Sequence, residues 1–480
     1  MTIDQGQSFE GEEFEGGATF DGVTFPSGVS FKDVTFKGPA SFDRCRFEGS
    51  VSFDSATFEG DAIFTGATFC KQAWFSGARF LRDANFGEAI FEGAAFGRAR
   101  GFSVVGQLDF GQALFKRPLD LVIAAELIYC VGTSFEAGGN WKIRWAEIDL
   151  RRAIISEVLI VAAGREVGTS DPEELVQLCK GEAEAVARGL DADEVSRRST
   201  RTARPRLLTL EGTNVENLVL EGLDLRACRF HGAHKLDQLQ ISDAEFPSTP
   251  GWTGRAAIWE EHRWRSTRGP PPLRKRWYGD ANRQRPSAAT AIPAYKPAQI
   301  ASVYRALRKG REAAKDEPGA ADLYFGEMEM RRHSGGEGGF GTRLASWWEQ
   351  RTIWLYWLLS GYALRPLRAF VALVIVVAAG AVALHQYGFR DLDQPFAPAT
   401  ASAAPTRPPP YELPGSAHEL GDALADQDGL VYSASTAVAL APSPDARLTR
   451  TGRGIRTAIR VLGPIMLGLM LLSIRGRVKR

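Results

Sequence analysis

Few residues in this chain combine the types and the spacing that catalysis or metal binding requires. His231 and His234 form an H-x-x-H pair, but neither a third ligand nor a glutamate base accompanies them. A chance pair is therefore favoured over a zinc site. The sequence contains no phosphate-binding glycine loop, no nucleophile elbow and no H-E-x-x-H motif. We predict a non-enzymatic protein without catalytic, metal or cofactor-binding residues.

The acids at residues 10–15 and the five cysteines have structural explanations. The acids occupy outward or turn positions of a repeating pattern, where solvated charge is expected. The cysteines show no C-x-x-C spacing, and Cys45 and Cys228 each lie two residues before a phenylalanine. Because alanine or valine usually occupies that position, we predict that both thiols are small buried side chains.

The acids and cysteines above belong to a repeating pattern of phenylalanines. This register spaces the phenylalanines alternately five and six residues apart. It contains 18 of the 28 phenylalanines: Phe9, Phe14, Phe20, Phe25, Phe31, Phe36, Phe42, Phe47, Phe53, Phe58, Phe64, Phe69, Phe75, Phe80, Phe86, Phe91, Phe96 and Phe102. From Phe20 to Phe96, the residue two before each phenylalanine is alanine, valine or cysteine. Glycine recurs two residues after many of them.

This spacing excludes both a helix and a single strand. On a helix, steps of five and six residues put alternate phenylalanines about 140° apart rather than on one stripe. In one strand, an odd step and an even step direct side chains to opposite faces. The chain must therefore bend between successive phenylalanines. A small and a large side chain then point inward from each short strand, with glycine at many corners.

These residues resemble those of the pentapeptide-repeat family, whose members form right-handed quadrilateral β-helices with four short sides per coil. The usual unit is A(D/N)LXX with leucine or phenylalanine at its centre, and here a sixth residue is inserted at alternate units. The resemblance implies a β-solenoid at residues 1–165, with 22 rather than 20 residues per coil where the alternation holds. Eighteen phenylalanines then correspond to about four to five coils.

The register returns after the phenylalanine block. The pairs predicted to point inward are Ile143 with Trp145, Ile148 with Leu150, Ala153 with Ile155, and Val158 with Ile160. The register then continues through Leu210, Val215, Leu220, Leu225, Phe230, Leu236, Ile241 and Phe246. Residues 166–206 break the pattern and contain a predicted capped helix at 169–190. We interpret 166–206 as a helical insertion and 207–246 as a continuation of the solenoid.

Residues 247–296 are predicted to be a basic linker rich in proline and arginine. Residues 255–315 carry 15 Lys/Arg and 4 Asp/Glu, whereas residues 1–100 carry 9 and 15. The stretch RGPPPLRKRWYGDANRQRP at 268–286 suits nucleic acid, anionic lipid or a solvated connector. The apolar segments that follow disfavour nucleic acid as a partner.

Residues 297–333 are predicted to be a helical hairpin. Its apolar face contains Ile300, Val303, Tyr304 and Leu307, its turn is at 317–319, and Tyr324, Phe325 and Met328 face back. A single hairpin cannot bury its own face. We therefore expect it to pack on the end of the solenoid or on the membrane-proximal helix.

Residues 347–480 are predicted to be a membrane domain. The stretch 369–387 has 19 residues without Asp, Glu, Lys or Arg, close to the roughly 20 that span a bilayer. A second span is predicted at 457–475, and the aromatic segment 352–364 is interpreted as an interfacial helix. The lipid bilayer is thus one expected partner, and the membrane helices leave homo-oligomerisation open.

Basic residues set the predicted orientation in the membrane. Arg365 and Arg368 precede the first span, and Arg475, Arg477, Lys479 and Arg480 close the second. The positive-inside rule then puts the solenoid and the C-terminal tail in the cytoplasm, and the loop 388–454 outside. We expect a multi-pass protein of the inner or plasma membrane, of bacterial type.

The arrangement span–loop–span is similar to the two-span pore unit of potassium-type channels. Such units carry a pore helix and a T-V-G-Y-G type filter before the second span. The matching stretch here, GLVYSASTAVALAP (429–442), has Ser435 and Thr436 at the start of the filter but neither filter glycine. A potassium-selective filter is therefore disfavoured, and two anchoring helices joined by an external loop are favoured.

Two function classes remain. The first is a membrane-anchored, non-enzymatic pentapeptide-repeat scaffold that mediates protein–protein interaction at the cytoplasmic face through unknown protein partners. The second is a degenerate two-transmembrane ion-channel-like protein with the solenoid as a regulatory or assembly domain. Conduction through the region of the loop separates the two classes.

Overall fold

The computed structural model describes residues 8–96, 101–143, 146–164, 204–250, 254–268, 295–334, 351–359, 361–362, 366–387, 436–437 and 449–478. The chain divides into two compact units, Met1–Ser334 and Gly335–Arg480. The predicted helix at 169–190, most of the basic stretch 268–286 and most of the loop 388–454 lie outside the described residues.

The first unit begins with a β-solenoid of about eight coils, in which two-residue strands form four sides. Side 1 contains β1 (Glu13–Phe14), β5 (Thr35–Phe36), β9 (Thr57–Phe58) and β13 (Arg79–Phe80). Side 2 contains β2 (Ala18–Thr19), β6 (Ala40–Ser41), β10 (Ala62–Ile63) and β14 (Ala84–Asn85). Side 3 contains β3 (Thr24–Phe25), β7 (Arg46–Phe47), β11 (Thr68–Phe69), β15 (Ile90–Phe91), β17 (Leu114–Phe115), β19 (Ser134–Phe135) and β22 (Ile154–Ile155). Side 4 contains β4 (Val29–Ser30), β8 (Val51–Ser52) and β12 (Ala73–Trp74).

The parallel register of successive coils gives the coil length. Glu13 pairs with Thr35 and Thr35 pairs with Thr57, so one coil takes 22 residues. Leu114 pairs with Ser134, so a later coil takes 20 residues. The alternate six-residue units therefore lengthen the early coils. The predicted solenoid with four short sides and 22-residue coils is confirmed.

Longer strands extend the sheet of sides 1 and 2 in the second half of the solenoid. They are β16 (Phe102–Asp109), β18 (Leu121–Tyr129), β20 (Gly139–Ile143), β21 (Glu147–Asp149), β23 (Leu159–Ala163), β24 (Arg206–Thr209), β25 (Leu218–Glu221) and β26 (Gln240–Ser242). β16 and β18 each span both sides. β16 pairs with both β13 and β14 and thereby links the two sides. β23 pairs with β25, so the chain rejoins the same stack beyond residues 165–203.

Four columns of phenylalanine rings fill the core of the early coils. Rings one coil apart lie parallel: Phe42 and Phe64 have centroids 4.9 Å apart and an interplanar angle of 2°. Rings in neighbouring columns meet edge to face, as Phe42 and Phe53 do at 5.4 Å and 80°. Aromatic pairs of these kinds contribute about 0.5–1.5 kcal/mol each beyond the burial of their area. Cys45 is also buried in this core, as predicted.

Corner glycines have two different structural reasons. Gly22 has a φ of 67°, in the left-handed region that glycine adopts without strain. Gly38 does not need that conformation, but a Cβ there would lie 2.7 Å from the carbonyl carbon of Gly16 in the preceding coil. The recurring glycines are therefore required partly by the turns and partly by the close stacking of coils.

The predicted register is wrong at β23. Leu159 and Val161 are fully buried, whereas Val158 is 53% exposed and Ile160 is half-buried. Gly139 pairs with Leu159. The corner between β22 and β23 therefore contains one residue more than the predicted five-residue step allows. Because side chains alternate along a strand, a shift of one residue exchanges the inward and outward sets.

Elsewhere the inward positions agree with the prediction. The buried ones are Ile143, Ile148, Leu150, Ala153, Ile155, Leu210, Val215, Leu220, Leu225, Phe230, Leu236 and Ile241, and Phe246 is partly buried. At one early corner, Ala94 is exposed and Ala95 is buried instead. Trp145 lies outside the described residues.

Three helices cover the C-terminal end of the solenoid: α1 (Trp259–Arg268), α2 (Pro297–Ala313) and α3 (Glu317–His333). α1 lies inside the segment predicted to be a linker, and Ile258 and Trp259 are buried in the same core as the solenoid. This part of the segment is therefore not a solvated connector. A Cβ on Gly310 of α2 would lie 3.1 Å from the Leu239 carbonyl oxygen, so the helix directly contacts the last coil.

The hairpin turn differs from the prediction. Residues 317–319 form the first turn of α3 rather than the connection between the helices. The Asp316 side chain caps this turn by accepting the Gly319 N–H at 3.0 Å. Pro318 is tolerated here because the first turn of a helix has no partner for its backbone donors.

The face of α3 also differs from the prediction. All four predicted apolar residues of α2 (Ile300, Val303, Tyr304 and Leu307) are buried. On α3, Leu323, Phe325 and Met330 are buried, whereas Tyr324 and Met328 are only half-buried. The packing of Tyr304 of α2 explains this difference. A Cβ on Gly326 would lie 2.5 Å from the Tyr304 ring, so the face of α3 that contacts α2 includes Gly326.

The second unit contains α4 (Pro366–Tyr387) and α5 (Arg450–Val478), and residues 351–359 are also helical. Both long helices are long and apolar enough to cross a membrane, over Leu367–Leu384 and Arg450–Leu472. α5 begins seven residues before the predicted span at 457, so residues 450–454 belong to this helix rather than to the loop. The Thr449 hydroxyl donates a hydrogen bond to the Tyr387 carbonyl oxygen at 2.7 Å and joins the two helix ends.

Candidate functional surfaces

The outer faces of the solenoid are mostly polar and change from coil to coil. Side 4 presents Ser30, Ser52 and Trp74 in successive coils, and the tryptophan is 40% exposed. Neighbouring parallel strands are about 4.8 Å apart, so outward side chains form a regular grid. Such a surface can recognise an extended partner, and its composition differs on each side.

Exposed ion pairs connect the first two coils. Lys37 Nζ lies 2.6 Å from Glu15 and 2.9 Å from Glu13, and Lys32 Nζ lies 3.1 Å from Glu10. The acids at 10–15 are thus surface charges, as predicted from their positions in the repeat. Water screens pairs of this kind, so they contribute little to stability and instead define the charge pattern of the surface.

A buried ionic cluster joins the helices that cover the C-terminal coil. Glu261 on α1 accepts two hydrogen bonds from Arg255, at 2.6 and 2.8 Å, and one from Arg265 at 2.7 Å. The Tyr304 hydroxyl of α2 donates to the same carboxylate. Burial opposes ionisation, but the two guanidinium groups lower the pKa of Glu261 to about 2. Removing one partner of such a pair typically costs about 3–5 kcal/mol.

A second buried carboxylate holds α3 against α2. Glu327 is almost fully buried and lies 3.0 Å from Arg305 Nε, 3.1 Å from Arg308 Nε and 3.0 Å from Arg331 Nη2. Two of these arginines belong to α2 and the third belongs to α3. The covering helices are therefore connected by ionic contacts as well as by apolar packing.

Glu260 connects α1 to the last coil, and only one of its two carboxyl oxygens has hydrogen-bond partners among the described residues. Its Oε1 accepts the backbone N–H groups of Phe230 at 2.7 Å and His231 at 2.8 Å. Its Oε2 has no hydrogen-bond partner among the described residues. Burial raises the pKa of Glu260 to about 7, so this carboxyl group changes charge near neutral pH.

The two histidines of the H-x-x-H pair have separate structural positions. The His231 ring lies 4.8 Å from the Tyr295 ring, and the His234 backbone N–H donates to the Thr213 carbonyl oxygen at 2.8 Å. In the described part of the chain, no three His, Cys, Asp or Glu residues are grouped as a metal site would require. The interpretation of the motif as a chance pair stays a prediction.

Three of the described cysteines are core side chains. Cys45, Cys130 and Cys228 are buried. Burial raises the pKa of Cys45 to about 12 and the pKa of Cys228 well above its usual range. Both groups therefore stay protonated at neutral pH, in agreement with their predicted role as small core side chains. Cys70 is half-buried, and Cys179 lies outside the described residues.

Two residues of the predicted external loop pack between the helices of the second unit. Ala437 is 1% exposed and forms an apolar cluster with Leu384 of α4 and Ile459 of α5. A Cβ on Gly463 would lie 2.3 Å from the Ala437 carbonyl oxygen, so α5 approaches the loop backbone closely there. Thr436, at the predicted start of the filter-like stretch, is also buried. At Ala437 the loop therefore packs directly against both helices.

Sequence reasoning missed the buried acids of the covering helices. The excess of Lys/Arg over 255–315 suggested a solvated basic segment, whereas Glu260 and Glu261 face the core. The available signal was local. Arg265 lies four residues after Glu261, a spacing that brings opposite charges together on one helical face.

Comparison with known proteins agrees with the fold. Residues 31–78, about a tenth of the chain, match the family model described as pentapeptide repeats (9 copies). Neither the curated proteins nor the solved structures contain a match to the chain. The matched residues cover β5 to β12, where the 22-residue coils are most regular.

Proposed function

We propose that this chain, whose solenoid is built of pentapeptide repeats, is a membrane-anchored, non-enzymatic scaffold. In this proposal the solenoid binds other proteins at the cytoplasmic face of the membrane, and the two apolar helices hold it there. The single observation that carries the proposal is the combination of a rigid solenoid, with varied polar sides, and two helices long enough to cross a membrane.

The construction of the solenoid supports a binding role. Its interior is filled by stacked rings and small side chains, which leaves the outward positions free to vary without loss of the fold. Trp74 on side 4 is a large aromatic side chain on an otherwise polar face. Tryptophan is enriched among the residues that dominate protein–protein binding energy. We place one part of the binding surface on this side.

The second unit supports anchoring. Large apolar side chains of α4 and α5 are exposed in the isolated chain, among them Phe370, Ile375 and Leu472. A bilayer would cover such surfaces. The guanidinium of Arg368 lies 5.3 Å from the centre of the Trp357 ring, so a basic and an aromatic group meet where α4 begins. Groups of both kinds favour the membrane–water interface.

Two measurements test the anchoring and its orientation. Full-length protein should remain in the membrane pellet after an alkaline carbonate wash, and release into the supernatant would contradict the proposal. A reporter fused at residue 425 should lie outside and one at residue 480 inside. Arg450, Arg453 and Arg456 at the other end of α5 oppose the predicted bias, so the reporter result is decisive for orientation.

Binding by the solenoid is tested with proximity labelling from the N-terminal unit in cells. Trp74→Ala should remove a defined subset of labelled proteins, because it deletes an exposed aromatic contact without touching the core. Thr19→Ala, on side 2, is the matched control on an exposed outward position. Identical labelling by the wild type and both variants would contradict a binding role for side 4.

A second candidate function is an ion-conducting protein with a divergent pore. The packing of Ala437 against α4 and α5, next to the buried Thr436, favours it, because a purely external loop has no reason to pack against two anchoring helices. Purified protein in planar bilayers should then show a conductance that changes at residues 433–438 abolish. A flat current trace across cations and voltages would contradict this candidate and leave the scaffold.

A further inference from the structure

We infer that one side of α5 binds the headgroups of anionic phospholipids through Arg450, Arg453 and Arg460. The acyl chains of these lipids would lie along the apolar residues that follow on the same side of the helix. The inference rests on the proposed membrane anchoring, and it adds a lipid class and a set of contact residues to that proposal.

The three arginines lie on one side of α5, and all three are exposed. At about 100° per residue, positions 450, 453 and 460 fall within an arc of about 80° around the helix axis. A different side of α5 packs inside the second unit, and it contains the buried residues Ile459 and Met466. The three guanidinium groups are therefore accessible to a ligand outside the helix pair.

The long helices of this unit offer the arginines no charged partner. The sequences of α4 and α5 contain neither aspartate nor glutamate. Among the residues that the structure describes, no carboxylate forms an ion pair with Arg450, Arg453 or Arg460. A guanidinium group fits the oxygens of a phosphate with two parallel hydrogen bonds. Charge complementarity therefore favours an anionic ligand that carries a phosphate.

The same side of α5 continues as an exposed apolar surface. Val461, Leu471 and Leu472 are exposed, and at the same helical pitch they fall within about 60° of Arg450 around the axis. A phospholipid bound to the arginines would cover this surface with its acyl chains. A free phosphate ion or an acidic peptide would leave it exposed. The combination of a basic and an apolar stretch on one side therefore favours a lipid.

The uncharged part of α5 is short for a membrane span. Residues 461–474 are 14 residues without a charged side chain, which correspond to about 21 Å of helix, whereas the hydrocarbon layer is about 30 Å thick. A short span thins the bilayer locally, and long basic side chains at its ends extend to the headgroups. Arg460, directly before this stretch, is therefore expected at the depth of the lipid phosphates.

The adjoining end of α4 also carries a residue typical of a membrane surface. Tyr387 is its last residue and is exposed, and its carbonyl oxygen accepts the hydrogen bond from the Thr449 hydroxyl at 2.7 Å. Arg450 thus begins α5 beside a tyrosine, a residue enriched at the membrane–water interface. Arg460 lies about 15 Å further along the axis, so the arginines can contact more than one headgroup.

Lipid binding by the full-length protein in detergent tests the inference. The probe is phosphatidylglycerol with a fluorescent acyl chain, and its control is phosphatidylcholine with the same label. Fluorescence anisotropy should show that phosphatidylglycerol binds at least about tenfold more tightly, because each arginine near the headgroups favours an anionic lipid. Millimolar inorganic phosphate should not displace it, since the free ion lacks acyl chains.

Two triple variants localise the binding to this side of α5. Changing Arg450, Arg453 and Arg460 together to glutamine should abolish the preference for phosphatidylglycerol. Changing the same three residues to lysine should keep the preference within about threefold of wild type, because the positive charges remain. The lysine variant separates loss of charge from loss of folding, and the comparison of the two lipids on the wild type requires no variant.

A matched control removes the same charge from the solenoid. Arg44, Arg82 and Arg117 are exposed there, and changing all three to glutamine should leave the lipid preference within about twofold of wild type. A lost preference in this control would mean that net charge alone attracts the lipid, and it would overturn the inference.

Four further results would overturn the inference. They are equal binding of the two lipids by the wild type, an unchanged preference in the glutamine variant of α5, a lost preference in the lysine variant, and displacement of the lipid by inorganic phosphate. A preference that arises only after the acids of the loop 388–454 are neutralised would make the loop the occupant and would overturn it too. Membrane anchoring is decided separately, since protein that stays in the carbonate-washed pellet without a lipid preference would reject only this inference.

Discussion

The charge of Glu260 should make the stability of the covered solenoid end depend on pH. The perturbation is Glu260→Gln, which keeps an oxygen to accept the N–H groups of Phe230 and His231 and removes the titrating proton. Burial raises the pKa of Glu260 to about 7 from an ordinary value of 4.5. The folded protein therefore keeps a proton that the unfolded chain releases between these two pH values.

This difference fixes the sign and the size of the effect. Stability from the protonated carboxyl is present in full below pH 4.5 and is lost as the pH rises through about 7, because the folded state then buries a charge. A shift of about 2.5 pH units corresponds to about 3 kcal/mol. Glutamine stays neutral, so the free energy of unfolding of the variant relative to wild type should increase by about 3 kcal/mol between pH 4.5 and pH 8.

The assay is urea unfolding of full-length protein in detergent, followed by tryptophan fluorescence at pH 4.5, 6 and 8. Glu261→Gln is the matched control on the next residue of α1. It removes a carboxylate whose pKa Arg255 and Arg265 lower to about 2 against the effect of burial, and it leaves both guanidinium groups without that partner. We expect this control to lose about 3–5 kcal/mol at pH 7. That contribution is present above pH 4.5 and is lost as the pH falls towards 2.

The reasoning about Glu260 would be refuted by a difference between Glu260→Gln and wild type that stays constant across this pH range. A glutamine variant that becomes relatively less stable at pH 8 would refute it as well. Comparing the two proteins at each pH cancels the titration of all other groups, provided that their unfolded states are alike.

Three further predictions concern the core, the register and the helix pair. Phe53→Asp should unfold the solenoid, because it removes a stacked ring and buries an unpaired charge at a cost of several kcal/mol; near-native circular dichroism would contradict this. Leu159→Asp should lower the unfolding temperature strongly and Val158→Asp only slightly, because only the Leu159 side chain points inward. The reverse order would support the register predicted from sequence. Gly463→Val should lower the thermal stability of the protein in detergent, because the added side chain would overlap the backbone of Ala437. Gly468→Val should not, because the space around Gly468 is open. Equal unfolding temperatures of the two variants would exclude the tight contact.

The early coils could be predicted almost completely because every rule there is local. Steps of five and six residues, a small residue before each ring and a glycine after it all act within one side of a coil. The same rules failed at Val158 and Ile160, since the extra corner residue is set by pairing with a strand 20 residues earlier. A one-residue slip is invisible in a stretch where six consecutive residues, 158–163, are apolar.

The candidate surfaces were less predictable than the fold. The acids at residues 10–15 were correctly interpreted as surface charge, because their outward positions follow from the repeat alone. The ionic cluster around Glu261 escaped prediction because Arg255 and Tyr304 are far apart in the sequence and meet only through packing of α1 on α2. The contact of Ala437 with Gly463 is of the same kind.

By itself, the sequence determined the repeat, the coil length of the early solenoid, the inward residues and the presence of two long apolar helices. These follow from periodicity and composition, which act over a few residues. Only the tertiary structure decided that part of a predicted linker covers the solenoid end and that Glu260 is buried with partners for only one of its carboxyl oxygens. Burial depends on distant parts of the chain, and the free energy that shifts a pKa arises only when those parts come together.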